Sequence, residues 1–248
     1  MSSVEQRSSP LHDAALASFP HASLNGVMTF APAGQDALLE LLDTVGGGIL
    51  IAVNAEKIAR ADPAIVGLAA TQLGYPDGIG AVLALRRQGI RASRMAGADL
   101  WLALVDQYAS RRSFYLIGAT DEVVGRVAQR LRERHPAITL WSRSGYLSAP
   151  EEEQLDDKLR TRRPDFVLVA MGSPRQERLM ERLYAAHPAV YMGLGGSFDI
   201  FAGQKARAPR WLREAGLEWG YRLLREPVRL RVVPALLKFL VLLISGRR

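Results

Sequence analysis

The chain has 248 residues, 48% of them apolar, which is enough for one large domain or one domain with an appendage and for a real core. It has no cysteine, which excludes disulfides and thiolate metal sites. The formal net charge of +7 is concentrated at one end: from Gln204 to Arg248 there are eleven Lys or Arg against three Glu, so the preceding residues are close to neutral.

Residues 1–22 read as a flexible polar leader, with acids and prolines where a secretion signal needs an unbroken apolar run, so the protein is expected to stay in the cytoplasm. Over 23–203, short apolar runs alternate with helical stretches, the pattern of a parallel sheet covered on both faces. Gly48 to Val53 reads as a buried strand, followed by a helix from about Ala55 through Ala61. Phe114 to Gly118 is a second strand, and Asp121 to His135 has the alternation of an amphipathic helix. Thr139 to Trp141, Phe166 to Met171 and Val190 to Gly193 complete five predicted strands. The expected fold is α/β, a Rossmann-like and mostly parallel sheet covered by helices, with a basic helical appendage over 204–248. In such sheets, ligands bind outside the carboxyl ends of the strands.

The appendage has its own pattern. The run from Val232 to Ser245 is about 14 residues long and contains Pro234 and Lys238. A spanning helix needs ~20 apolar residues, so this one reads as interfacial. Arg207, Arg210 and Arg213 lie three apart, the spacing of one helix face, with Trp211 and Trp219 as interface anchors. Basic residues near an anionic surface contribute on the order of 1 kcal/mol each, so peripheral attachment to an anionic membrane is expected.

Four strand-end segments are rich in polar residues and glycine. Asn54, after the first strand, either caps the next helix or contacts a ligand. Pro76-Asp77-Gly78 is either a plain turn or a rigid mount for a carboxylate base. Gly172 to Glu177 offers a close backbone approach, with Ser173 as a helix cap, Pro174 in the first helical turn, and Arg175 and Gln176 as anion or nucleotide contacts. Gly193 to Gly203 is a glycine loop whose spacing fits neither a Walker A loop nor a complete dinucleotide fingerprint. There is no HExxH, no GxSxG and no Asp-x-Asp pair. His12, His21, His135 and His187 read as solvated or capping residues. Phosphate chemistry would therefore rely on Arg and Lys, with no metal expected.

Taken together, these segments resemble the WecG/TagA/CpsF family of bacterial glycosyltransferases, glycosyltransferase family 26. The resemblance rests on Asn54-Ala55-Glu56-Lys57, Pro76-Asp77-Gly78-Ile79-Gly80, Arg94 with Gly97-Ala98-Asp99-Leu100, and Gly145-Tyr146-Leu147. It continues through Gly172 to Glu177, Gly195-Gly196-Ser197-Phe198-Asp199, Arg207-Ala208-Pro209-Arg210-Trp211, Gly216 to Leu223, and Glu226-Pro227 with Arg229. It implies an inverting, metal-independent transfer of a sugar from a UDP-sugar (UDP-glucose, UDP-ManNAc or UDP-ManNAcA) to a polyprenyl-diphosphate-linked saccharide in bacterial surface polysaccharide synthesis. It also implies a peripheral protein on the cytoplasmic face of the inner membrane.

By the same resemblance Asp77 is the general base, and Arg207, Arg210, Arg213 or Arg222, with Arg94, meet the charge on the departing UDP. Gln176, Gly195 and Gly196 belong to the donor pocket, and Asn54, Asp99 and Asp199 are further binding candidates. Many family members have a Thr two residues before the Asn of the first motif, where this chain has Ala52. A non-catalytic membrane adaptor or nucleotide-binding protein on the same fold is the alternative. An NAD-dependent oxidoreductase lacks its fingerprint here, and nucleic-acid binding would leave the apolar stretch of the tail unexplained. A homo-oligomer remains open.

Overall fold

A computed structural model describes residues 8–245; the start of the expected leader and the last two arginines lie outside the described residues. The described residues begin with α1 (Pro10–Ser18), an antiparallel hairpin of β1 (His21–Leu24) and β2 (Val27–Phe30), and α2 (Gln35–Thr44). Then come β3 (Gly48–Val53), α3 (Ala55–Arg60), α4 (Pro63–Ala69), β4 (Leu73–Pro76), α5 (Ile79–Arg87) and α6 (Gly97–Tyr108). The second half runs β5 (Ser113–Gly118), α7 (Asp121–Arg134), β6 (Thr139–Arg143), α8 (Ala149–Arg162), β7 (Phe166–Ala170), α9 (Arg175–Ala186), β8 (Val190–Gly193) and α10 (Ser197–Phe201). The appendage is α11 (Arg210–Glu214), α12 (Glu218–Arg225), a 3-10 turn (Pro227–Val232) and α13 (Val233–Ser245).

Six strands form one parallel sheet in the order β4-β3-β8-β7-β5-β6. Alternate residues of each strand feed two separate cores. Leu50, Leu116, Leu168 and Met192 pack with α1, α2, α6, α7 and α10. Ile49, Ile51, Ile117, Val169 and Tyr191 pack with α3, α4, α5, α8, α9 and α13. Burial on both faces explains why these strands read as continuous apolar runs. Val53 pairs with Pro76, Val169 with Gly193, and Gly118 with Ala170, so the strands end nearly level along one carboxyl edge.

Two sequence expectations need correction, and one strand joins the five expected. The leader is not flexible from residue 9 onward: Leu11 and Ala15 are fully buried, Ser9 Oγ accepts the His12 N–H, and Ser9 N–H donates to Thr71 O at 3.0 Å. The hairpin behind it turns at Asn25-Gly26, both at positive φ, as a two-residue hairpin turn requires. His12 is buried rather than solvated or capping, its ring bonded to Gln72 O at 2.9 Å, whereas His187 does cap the C-terminus of α9 and is buried there against Pro164 O at 2.9 Å. The added strand is β4: Leu73-Gly74-Tyr75-Pro76 forms one edge of the sheet and leads directly into Asp77.

The appendage lies against the body. Ala235 and Phe239 of α13 are buried against α3 and α5, and Arg87 Nη2 donates to Ile244 O at 2.8 Å. The opposite positions, Leu237, Leu240, Val241 and Ile244, are 49–75% exposed and fall at the i, i+3, i+4, i+7 spacing of one helix face. Among the described residues no helix is long and apolar enough to cross a membrane.

Candidate functional site

The carboxyl edge at β4 and β3 carries Asp77 and Asn54. Asp77 leaves β4 directly, its own N–H bonded to Val53 O at 2.8 Å. The segment before α6 is pinned to the same place: Met95 N–H donates to Pro76 O at 2.9 Å, and Gly97 N–H donates to Asp77 Oδ1 at 2.9 Å. Gly97 has to be glycine here, because a Cβ would lie 2.8 Å from Tyr75 Oη. Tyr75 is fully buried, and its hydroxyl has no hydrogen-bond partner among the described residues.

Burial raises the Asp77 carboxyl above the ordinary aspartate range. The Gly97 N–H, Lys57 and Arg222 work against that rise and Glu218 adds to it. Burial also raises Tyr75 well above the ordinary phenol range, with Asp77 and Glu177 adding to the effect. A carboxylate held in fixed geometry and made more basic by desolvation is suited to accept a proton.

Beside Asp77, Asn54 caps α3: Lys57 N–H donates to Asn54 Oδ1 at 3.0 Å. What Asn54 can offer a ligand is therefore its amide N–H groups. Lys57 Nζ pairs with Glu177 Oε1 at 2.7 Å, both side chains buried. Gln176 Nε2 donates to the same Glu177 oxygen at 3.1 Å, and Gln176 Oε1 accepts Gly195 N–H at 2.9 Å. Gly195 sits at φ +56° in the turn between β8 and α10, which explains the glycine there. Ser173 is not the cap of α9, as the sequence suggested: the helix starts at Arg175 after a cis Ser173–Pro174 bond, and Gln176 N–H closes on Gly172 O at 2.9 Å. Asp199 lies on α10, following Gly196, and its carboxylate accepts from Lys205 Nζ at 3.5 Å.

The appendage reaches this edge through arginines. Arg207 Nη2 binds Asp99 Oδ2 at 2.6 Å, with Arg213 Nη1 4.0 Å from the same oxygen. Arg94 Nη1 lies 3.7 Å from Glu218 Oε2, and Arg222 Nε lies 3.9 Å from Glu218 Oε1. The turn between α11 and α12 rests on Ile79: Gly216 is at φ +73°, and a Cβ there would meet Ile79 Cβ at 3.2 Å.

The structure thus brings Asp77, Arg94, Glu218 and Arg222 to one place, and Arg207 and Arg213 together on Asp99. Arg210 does not join them. Pro209 starts α11 at Arg210, so Arg207 precedes the helix and shares no face with it; Arg210 is exposed and pairs with Glu214 at 2.6 Å. Lys57, Glu177 and Glu218 stood in the matched segments but were given no role, since a buried ion pair joining distant segments has no spacing signal. Tyr75 lies in β4, a strand too short for the apolar pattern to show. Among the described residues no three His, Asp or Glu side chains gather to hold a metal ion.

The six-stranded parallel sheet thus carries a carboxylate and a set of arginines at its carboxyl edge, the edge at which open α/β sheets bind their ligands. The family model described as glycosyl transferase WecG/TagA/CpsF family matches residues 27–248. The chain belongs to that glycosyltransferase family.

Proposed function

We propose that the protein transfers a sugar from a UDP-sugar to a polyprenyl-diphosphate-linked saccharide, with inversion at the anomeric carbon, at the cytoplasmic face of a bacterial inner membrane. The observation that carries this reading is the meeting of the Asp77 edge with the cationic appendage: the turn before α12 packs on Ile79, two residues after Asp77, which brings Arg222 and Glu218 of α12 within electrostatic reach of its carboxyl. Asp77 takes the proton of the acceptor hydroxyl as that oxygen attacks the anomeric carbon. The bond from that carbon to the diphosphate oxygen breaks, and UDP leaves with the electron pair. In this reading Arg94 and Arg222, with Arg207 and Arg213 on the Asp99 side, offset the charge that develops on UDP. Gln176 and the Gly195-Gly196 turn are assigned to the donor and Asn54 to substrate positioning. Asp99 and Asp199 act through the cations they hold. The exposed stripe of α13 and the basic residues around it supply contact with an anionic bilayer, a combination of burial and charge that neither supplies alone.

The test is UDP release from a panel of UDP-sugars, with EDTA present, using a short-chain polyprenyl-diphosphate-sugar acceptor in detergent. Acceptor-dependent turnover of one donor is the expected result. Turnover that needs an added divalent cation would overturn the assignment of charge neutralisation to arginine.

A further inference from the structure

Glu218 differs from Glu214, the exposed acid of α11. It opens α12, where a glutamate is ordinarily explained by the helix dipole and faces water. Here its side chain is only 14% exposed and lies between arginines from separate elements: Arg94 from the segment between α5 and α6, and Arg222 from one turn along its own helix. Arg207, from the segment before α11, feels it as well, and Asp77 faces the same group from the end of β4.

The distances are informative. At 3.7 and 3.9 Å these are ion pairs without hydrogen bonds, whereas Arg207 on Asp99 at 2.6 Å is a full charge-assisted bond. The Arg94 and Arg222 guanidinium groups are thus held by attraction, with no hydrogen bond tying them to Glu218. A diphosphate, with more charge and more acceptor oxygens than one carboxylate, makes the better partner.

We propose that Glu218 is an internal stand-in for the diphosphate of the donor: its carboxylate holds Arg94 and Arg222 side by side against their mutual repulsion and competes with the diphosphate for them. This rests on the donor reading above and deepens it. Glu218 is a positioning residue in this scheme, because it acts through the arginines. Competition sets the donor affinity below what the bare arginines would give, and the same carboxylate marks where product UDP leaves.

The test is calorimetric titration of the full chain with UDP at low ionic strength, for the wild type, Glu218→Gln, Glu218→Asp and Arg222→Gln, each checked by thermal melting. Glu218→Gln is expected to bind UDP about three- to tenfold more tightly, the scale of one partly exposed ion pair released, with Glu218→Asp between it and the wild type. Arg222→Gln is expected to bind at least about tenfold more weakly. The acid limb of turnover in Glu218→Gln should move to lower pH, since removing Glu218 leaves Lys57, Arg222 and the Gly97 N–H to favour the charged form of Asp77. Equal or weaker UDP binding by folded Glu218→Gln and Glu218→Asp would overturn the proposal while leaving the donor reading in place. A wild type that does not bind UDP, with Arg222→Gln indistinguishable from it, would overturn both.

Discussion

Lys57 and Glu177 form a buried ion pair, 2.7 Å between Nζ and Oε1, that ties the helix after β3 to the helix after β7 across the end of the intervening β8. Gln176 connects this pair to Gly195, the turn that leaves β8. Removing one partner strands a buried charge, so Lys57→Met should cost about 3–5 kcal/mol in denaturant unfolding. Burial alone would raise the Glu177 carboxyl, but Lys57 and the Gln176 amide outweigh it and hold it below the ordinary glutamate range. The folded state therefore favours the charged form: this contribution is present above the unfolded glutamate value and is lost as pH falls through the lower folded value. Lys57→Met should flatten that acid dependence. A melt as stable as wild type at neutral pH would show that the pair contributes nothing.

The raised Asp77 carboxyl has the opposite sign. Its folded state binds the proton more tightly than the unfolded chain, so its stabilising contribution is present below the unfolded aspartate value and is lost as pH rises through the folded value. At neutral pH a charged Asp77 costs stability. Asp77→Asn, whose amide oxygen can still accept the Gly97 N–H, should raise the melting temperature by roughly 2–4 °C while removing most turnover and leaving UDP binding nearly intact. A lower melting temperature with parallel loss of UDP binding would mark Asp77 as a structural turn residue.

Gly97 and Tyr75 should be coupled. An alanine at 97 places its Cβ 2.8 Å from the buried Tyr75 hydroxyl, pushing the start of α6 away from Asp77 and stretching the 2.9 Å bond that orients the carboxylate. Gly97→Ala should lower kcat by about tenfold or more. The ring carbon bearing the hydroxyl is 3.9 Å from that Cβ, so Tyr75→Phe makes room and also removes an unpartnered buried hydroxyl. The double variant should recover most of the loss. Double and single variants with the same kcat would rule out this steric route.

The parts of the fold that sequence makes visible are those whose burial is continuous. Gly48 to Val53 and Phe166 to Ala170 are covered on both faces and read as unbroken apolar runs. The edge strand β4 is four residues containing a glycine and a proline, so its composition resembles a turn even though every residue in it is buried. The signals for α1 and the hairpin were present, in Ser9-Pro10 as cap and first helical residue and in Asn25-Gly26, but the polar residues around them hid how completely Leu11 and Ala15 are enclosed. Asp77 stood out as a candidate because its motif is local. Glu218 did not, because its partner Arg94 is far away in the chain and no spacing reports its burial. The same limit explains Arg210: three-residue spacing puts it on a face with Arg207 only if the helix includes both, and Pro209 starts the helix after Arg207.

The outer stripe of α13 gives a membrane prediction separable from catalysis. Leu240 and Val241 are 49% and 65% exposed, so charges there should not disturb the packing of Ala235 and Phe239 beneath them. Each leucine-sized side chain moved from water into the acyl boundary contributes about 1.5–3 kcal/mol, and a carboxylate in its place also repels anionic lipid. Leu240→Glu with Val241→Glu should therefore lose sedimentation with anionic phospholipid vesicles by at least about a hundredfold in partition coefficient, two side chains at roughly 1.4 kcal/mol per tenfold. Turnover of a short-chain acceptor in detergent should stay near wild type, because neither residue lies among the Asp77 and arginine contacts. Raising salt on the wild type should weaken binding only in part, since the apolar contribution is not screened. Unchanged vesicle binding by the folded double variant would remove α13 as the contact, and loss of detergent turnover alongside it would show that the stripe serves the site rather than the bilayer.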